Sequence, residues 1–131
     1  METTVLVTVA VLWLIFILRK RFLIMLNPNV KNVSASEAHQ LIDANTDMVI
    51  LDVRTRNEYN SGHIPGALLI PVHELSARIK ELATHYNKPI LVYCASGGRS
   101  PGAVYTLRNH FAPIYHLSSG LSSWKFGLKV S

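Results

Sequence analysis

The chain has 131 residues, with 13 Lys+Arg against 8 Asp+Glu, and is 49% hydrophobic but only 16% charged. That length allows one ordinary domain, and the apolar content excludes a disordered chain. The single cysteine, Cys94, excludes an intrachain disulfide and a cysteine-based zinc site; a lone thiol fits a reducing compartment and leaves a catalytic role open.

The excess apolar content lies at the front. Thr3 to Leu18 contains nothing more polar than threonine, and Arg19-Lys20-Arg21 follows directly. As a helix, residues 1–18 span about 27 Å, close to the roughly 30 Å of a hydrocarbon core. Extending the span through Phe22–Leu26 would place three cations in lipid at about 2.5–3.5 kcal/mol each near the centre. The triplet therefore marks the exit, its stems snorkelling to the interface, with Phe22–Leu26 at the surface. A buried core helix would keep a polar face. A cleaved signal peptide would want cations before the apolar stretch and a small-x-small site after it, whereas Glu2 precedes and cations follow. The sequence thus favours a retained single-pass membrane anchor over residues 1–26. The positive-inside rule places the domain of residues 27–131 on the cytoplasmic side. Charge in that domain is scattered and gives no nucleic-acid footprint.

Asn27-Pro28-Asn29 reads as a linker. Ser34-Ala-Ser-Glu37 has capping-box spacing and opens a helix ending near Asn45. Met48–Val53 is a short apolar run expected as a buried strand. Asn57–Asn60 is expected as a helical turn, Ala67–Ile70 as a second strand, and His73–Thr84 as a helix with Leu75, Ile79 and Leu82 on one face. Pro89–Tyr93 is a strand running into Cys94. Pro101 can open a helix reaching about Asn109. Pro113–Leu117 is a strand, and Leu121–Trp124 a short closing helix. This alternation predicts an α/β fold, a parallel sheet with helices on both faces and sites beyond the C-terminal strand ends.

Cys94 falls at such a place. Between it and Pro101 stand Ala95, Ser96, Gly97, Gly98, Arg99 and Ser100. A helix N-terminus supplies unpaired amides and partial positive charge. The glycines let the loop curl so that its amides converge on an anion. Arg99 adds a permanent forked charge. A thiol in that field should ionise below its ordinary pKa and could carry an anionic persulfide. An inert buried thiol is the common alternative for a lone cysteine; the strand–loop–helix setting with Cys-x4-Arg argues against it.

Leu51-Asp52-Val53-Arg54, then Glu58-Tyr59, then Gly62-His63-Ile64-Pro65-Gly66-Ala67 resembles the N-terminal signature of rhodanese domains. Tyr93-Cys94 through Arg99-Ser100 resembles their active-site loop, and Gly120 with Trp124 their closing motif. The resemblance covers roughly residues 28–126 and, with the anchor, is to membrane-anchored single-domain rhodaneses. It implies a rhodanese-like parallel sheet and sulfurtransferase chemistry: Cys94 takes the outer sulfur of thiosulfate or a related donor and passes it to cyanide or a thiol. The amides of Ala95, Ser96, Gly97, Gly98 and Arg99 would hold the thiolate and persulfide, and the Arg99 side chain would steady the anionic donor. The six residues from Cys94 to Arg99 match the sulfurtransferase branch; the related phosphatases have one more.

Asp52, Arg54 and Glu58 are expected as a supporting ion-pair network, His63 as a loop-fixing residue, and Ser100 as support. The other histidines, His116 among them, are expected to be surface or structural, and Trp124 a packing anchor. Ser119 stands where many members have glycine, and Ala95 where bulkier or basic residues are common. No cofactor or metal is expected. Partners would be a small sulfur donor, a thiol or protein acceptor, the membrane and, through the anchor, a second copy. The competing reading is a non-enzymatic, membrane-tethered binding module or passive persulfide relay.

Overall fold

The computed structural model describes residues 2–45 and 47–131. Helix α1 (Glu2–Met25) is followed by β1 (Val30–Val33), α2 (Ala35–Ala44), β2 (Val49–Asp52), α3 (Arg56–Ser61) and β3 (Leu68–Leu69). Then come α4 (Leu75–Arg78), β4 (Ile90–Tyr93), α5 (Ser100–Leu107) and β5 (Ile114–Leu117). The five strands form one sheet in the order β1-β5-β4-β2-β3, all neighbours parallel.

Alternation along the strands divides the core into two layers. Val49, Leu51, Val53, Ile90, Val92 and Cys94 face one side, with Leu75, Leu82, Val104 and Leu107. Ile50, Leu91 and Tyr93 face the other, with Val33, Ala38 and Leu117. Central β2 and β4 are buried along their whole length, as a parallel sheet covered on both faces requires. Period-two alternation therefore delivers Cys94 to the α5 side.

Several elements differ from expectation. β1 lies between the expected linker and the first expected helix, where no element is expected; only Val33 is fully buried, and the strand exists through pairing with β5. Residues 72–85 form no continuous helix. A single α turn stands between 3₁₀ stretches Val72–Glu74 and Ile79–His85. Tighter winding aligns residues three apart, here Ile79 and Leu82, both packed on the core. Tyr86 Oη also donates to the Ile79 carbonyl at 3.1 Å. The second strand shortens to Leu68–Leu69.

α1 continues through Arg19–Arg21 without a break, so Phe22 and Leu23 extend the helix instead of lying on a separate surface segment. It is long and apolar enough to cross a membrane, and none of that stretch is buried against the domain. Only its C-terminal part meets the domain: Lys20 Nζ sits 4.4 Å from the Tyr105 ring centre on α5 and 4.9 Å from that of Phe16 on its own helix. Ile17, Lys20 and Arg21 border a cleft with Gly98, Pro101 and Gly102.

Candidate active site

β4 ends at Tyr93, and its carbonyl accepts from Val53 N, so strand pairing holds the chain up to the cysteine. The Gly97 amide donates to Cys94 Sγ at 3.1 Å, and the Ser100 hydroxyl lies 3.4 Å from the same sulfur. Burial pushes the thiol pKa up. Hydrogen bonds from the Ser100 side chain and the amides of Ser100, Arg99 and Gly97 outweigh that and leave it below its ordinary value. Cys94 is only 1% exposed, so the sulfur forms the floor of the cradle. Ala95 is half-buried, while Ser96 and Gly98 are exposed on the outer side of the loop.

The return from β5 clamps this loop. Leu121 N donates to the Cys94 carbonyl at 2.9 Å and Ser122 N to the Ala95 carbonyl at 3.0 Å. Gly120 makes the turn at φ +66°, and Gly97 curls the loop at φ +92°. The sequence reading gives Gly97 and Gly98 the same role; the structure separates them. A Cβ on Gly97 would lie 1.9 Å from the Ser118 carbonyl oxygen, whereas one on Gly98 would meet nothing within 4 Å. Ser119 does not have a positive φ, so the turn needs no glycine there.

The expected network of Asp52, Arg54 and Glu58 is in fact two separate pairs. Asp52, fully buried, accepts from Arg54 N and Nε at 2.9 and 3.0 Å on Oδ1 and from Nη2 at 2.7 Å on Oδ2. Arg54 Nη2 also donates to the Gly62 carbonyl at 2.7 Å, tying β2 to the end of α3. Glu58 turns to the loop instead and takes both guanidinium nitrogens of Arg99, at 2.7 and 2.8 Å. Glu58 is also the partner in a capping box with Thr55, a Thr-x-x-Glu signal legible in the sequence. The Arg99 fork is thus already occupied, and what this residue offers Cys94 directly is its amide.

The Arg99 hydrogen bond draws the Glu58 pKa from 4.5 down to about 2, against burial. Because the folded-state value is depressed, the pair stabilises the fold above the unfolded value, and that contribution is lost as pH falls through about 2. Glu58→Gln keeps an acceptor for Thr55 N and removes the charge. Its urea midpoint should fall below wild type at neutral pH and converge with it as pH drops from about 4.5 to about 2. A constant gap across that window would show that the pair is not the source.

His63 Nδ1–H donates to the Tyr59 carbonyl at 2.8 Å, and the ring stacks on that of Tyr59 at 3.7 Å. Its backbone bridges Lys129, so its contacts lie with α3 and the C-terminal strand segment. Trp124 packs in the second core layer, edge-on to Phe126 at 5.1 Å.

Two residues at the site were not singled out by sequence. Expected among surface or structural histidines, His116 is 8% exposed, with Nε2 2.6 Å from Ser100 Oγ and Nδ1 2.9 Å from Asn32 Oδ1. Asn32 belongs to the missed strand β1 and is His116's register partner.

Residues 34–126 match the model of the rhodanese-like domain. A thiosulfate sulfurtransferase, GlpE, from Pseudoalteromonas translucida is 30% identical over 72% of this chain and 89% of its own length. Bacillus subtilis YqhL, uncharacterized, is 42% identical over 62% of this chain and 64% of its own length. This chain likewise spans 51% of a putative sulfur carrier protein, YrkF, from the same organism, at 33% identity over 73% of this chain. Among solved structures, a rhodanese-related protein from Thermoplasma volcanium superposes with a TM-score of 0.68 at 29% identity, covering 77% of this chain and 99% of that one. The matched span holds Cys94, its loop and the closing turn at Gly120, and by this match the chain belongs to the family of rhodanese-like domains.

Proposed function

We propose that this protein is a sulfurtransferase that carries sulfane sulfur as a persulfide on Cys94. The observation that carries the reading is the direct hydrogen bond from Gly97 N to a sulfur whose pKa is depressed. Such a thiolate attacks the outer sulfur of thiosulfate or a related donor. The S–S bond of the donor breaks, sulfite leaves with the electron pair, and the negative charge passes to the terminal sulfur of the persulfide. An acceptor thiolate or cyanide then attacks that terminal sulfur and returns Cys94 as thiolate. The amides of Gly97, Arg99 and Ser100 stabilise the anion on both sides of the exchange. Ala95 and Ser96 complete the loop, and Arg99 is held ready by Glu58. Asp52, Arg54 and His63 support the framework.

Incubation with thiosulfate should add about 32 Da, one sulfur, to Cys94, and cyanide should release it as thiocyanate. Cys94→Ala should abolish both. Absence of the adduct in the wild type, or full activity in the variant, defeats the reading.

α1 supports a single-pass anchor, with Arg19–Arg21 and the domain on the cytoplasmic side. Its last turns lie beside Gly98 and Pro101, and under this reading the loop would sit at the level of the lipid headgroups. A reporter fused after Ser131 should be active only if it works in the cytoplasm; activity of a reporter that requires export reverses the topology.

A further inference from the structure

We propose that His116 is the proton acceptor for Cys94, reached through the hydroxyl of Ser100 and oriented by Asn32. The chain runs Cys94 Sγ to Ser100 Oγ at 3.4 Å, Ser100 Oγ to His116 Nε2 at 2.6 Å, and His116 Nδ1 to Asn32 Oδ1 at 2.9 Å. The fold brings these residues together from the loop after β4, the start of α5, β5 and β1. His116 is in register with Asn32 on one side and Val92 on the other. Val92 lies two residues before Cys94 on the α5 face, so strand alternation aims the imidazole at the first residue of α5.

Donor and acceptor logic fixes the direction. Asn32 Oδ1 can only accept, so it holds the proton of His116 on Nδ1 and leaves Nε2 bare. Nε2 then accepts the Ser100 proton, and Ser100 Oγ accepts the thiol proton. On ionisation the S–H bond breaks as Ser100 Oγ takes that proton, and the original Ser100 O–H bond breaks as its proton passes to Nε2. The products are a thiolate that receives a hydrogen bond from Ser100 and an imidazolium that still donates to Asn32. No electrons change hands and no co-reactant is needed.

The proton rests on His116 only while Cys94 is a thiolate. Burial, and then the positive charge of Arg21 on α1, hold the imidazole below its ordinary pKa. Among the described residues Arg99 also faces the thiol, its charge balanced by Glu58 from α3, with Asp52 nearby. His116 and Asn32 border a cleft of about 310 Å³ with Arg21 and Ser118. Every polar group is satisfied before and after, and the net result is a thiolate paired through Ser100 with an imidazolium.

As a catalytic step this rests on the sulfurtransferase reading; as a statement about the thiol proton it does not. The test exploits Cys94 as the single cysteine of the chain. The full chain in detergent micelles is alkylated with iodoacetamide from about pH 4 to about pH 10, and the rate profile gives the thiolate fraction. Ser100→Ala should move the midpoint upward and slow alkylation at neutral pH about tenfold. His116→Gln, which keeps a hydrogen bond but cannot take a proton, should do the same and add nothing in the Ser100→Ala background. Asn32→Asp, at an exposed position, should move the midpoint downward by strengthening the base. A His116→Gln profile superimposed on wild type, or Ser100 and His116 effects that multiply, overturns the relay. Alkylation needs no sulfur donor. Expected profiles without sulfur loading leave the relay standing and defeat the transferase reading; loading with an unchanged His116→Gln profile defeats the relay alone.

Discussion

Asp52→Ala is expected to lower stability by about 3–5 kcal/mol, enough to unfold a marginal domain. The carboxylate is fully buried and serves as the counter-ion of Arg54, itself 6% exposed. Truncation leaves a guanidinium facing the Tyr93 ring at 5.7 Å with only the Gly62 carbonyl as a hydrogen-bond partner. Most of the cost is that stranded charge and not the lost pair. The double variant Asp52→Ala, Arg54→Leu should therefore be more stable than Asp52→Ala alone. Urea melts read both quantities. A single-variant loss under about 1 kcal/mol, or a double variant worse than the single, would show that the pair is hydrated and not isolated.

Gly97→Ala is expected to abolish the site as well as weaken the fold. The new Cβ would lie 1.9 Å from the Ser118 oxygen and 3.0 Å from its carbon, atoms of backbone that cannot swing aside, and φ +92° adds strain. To relieve the clash the loop must lift from β5, which withdraws the Gly97 amide from the sulfur. A fall in sulfur loading of about 100-fold, with a stability loss of about 3 kcal/mol or more, is the expected result. Gly120→Ala should match it, because its Cβ would meet Ala95 O, Ala95 C and Ser96 N at 2.5–2.6 Å. Gly98→Ala is the control: with open space and an ordinary φ it should stay within about 0.5 kcal/mol of wild type and load sulfur normally. Equal effects at 97 and 98 would mean that loop flexibility, not the contact with Ser118, is what glycine provides.

Legibility tracked how local each signal is. Ser34 caps α2 through Glu37 N within one turn, and the apolar runs of β2 and β4 suffer no interruption, so these elements are readable from neighbours in sequence. The Cys94 loop is likewise one contiguous segment. β1 is four residues with a polar middle and becomes a strand only beside β5, 84 residues away in sequence for the Asn32–His116 contact. The Glu58–Arg99 pair spans 41 residues. No pattern in a short window encodes either; each follows from strand order. Arg54 lies two residues from Asp52 and four from Glu58, and the local spacing accordingly suggested one network where topology makes two.

The depth of Cys94 has a consequence for regiochemistry. In a persulfide the inner sulfur is the one already in the structure, in contact with Gly97 N and Ser100 and 1% exposed. In the persulfide proposed above, the terminal sulfur would stand about 2 Å further out, one S–S bond from Sγ. An incoming thiolate therefore reaches the terminal atom and finds the inner one shielded. Attack at the inner atom would expel hydrosulfide and trap the acceptor as a mixed disulfide. Attack at the terminal atom hands the sulfur over and expels the thiolate that the loop amides already stabilise. In the proposed transfer, the same burial that shields the floor of the cradle would thus select the leaving group.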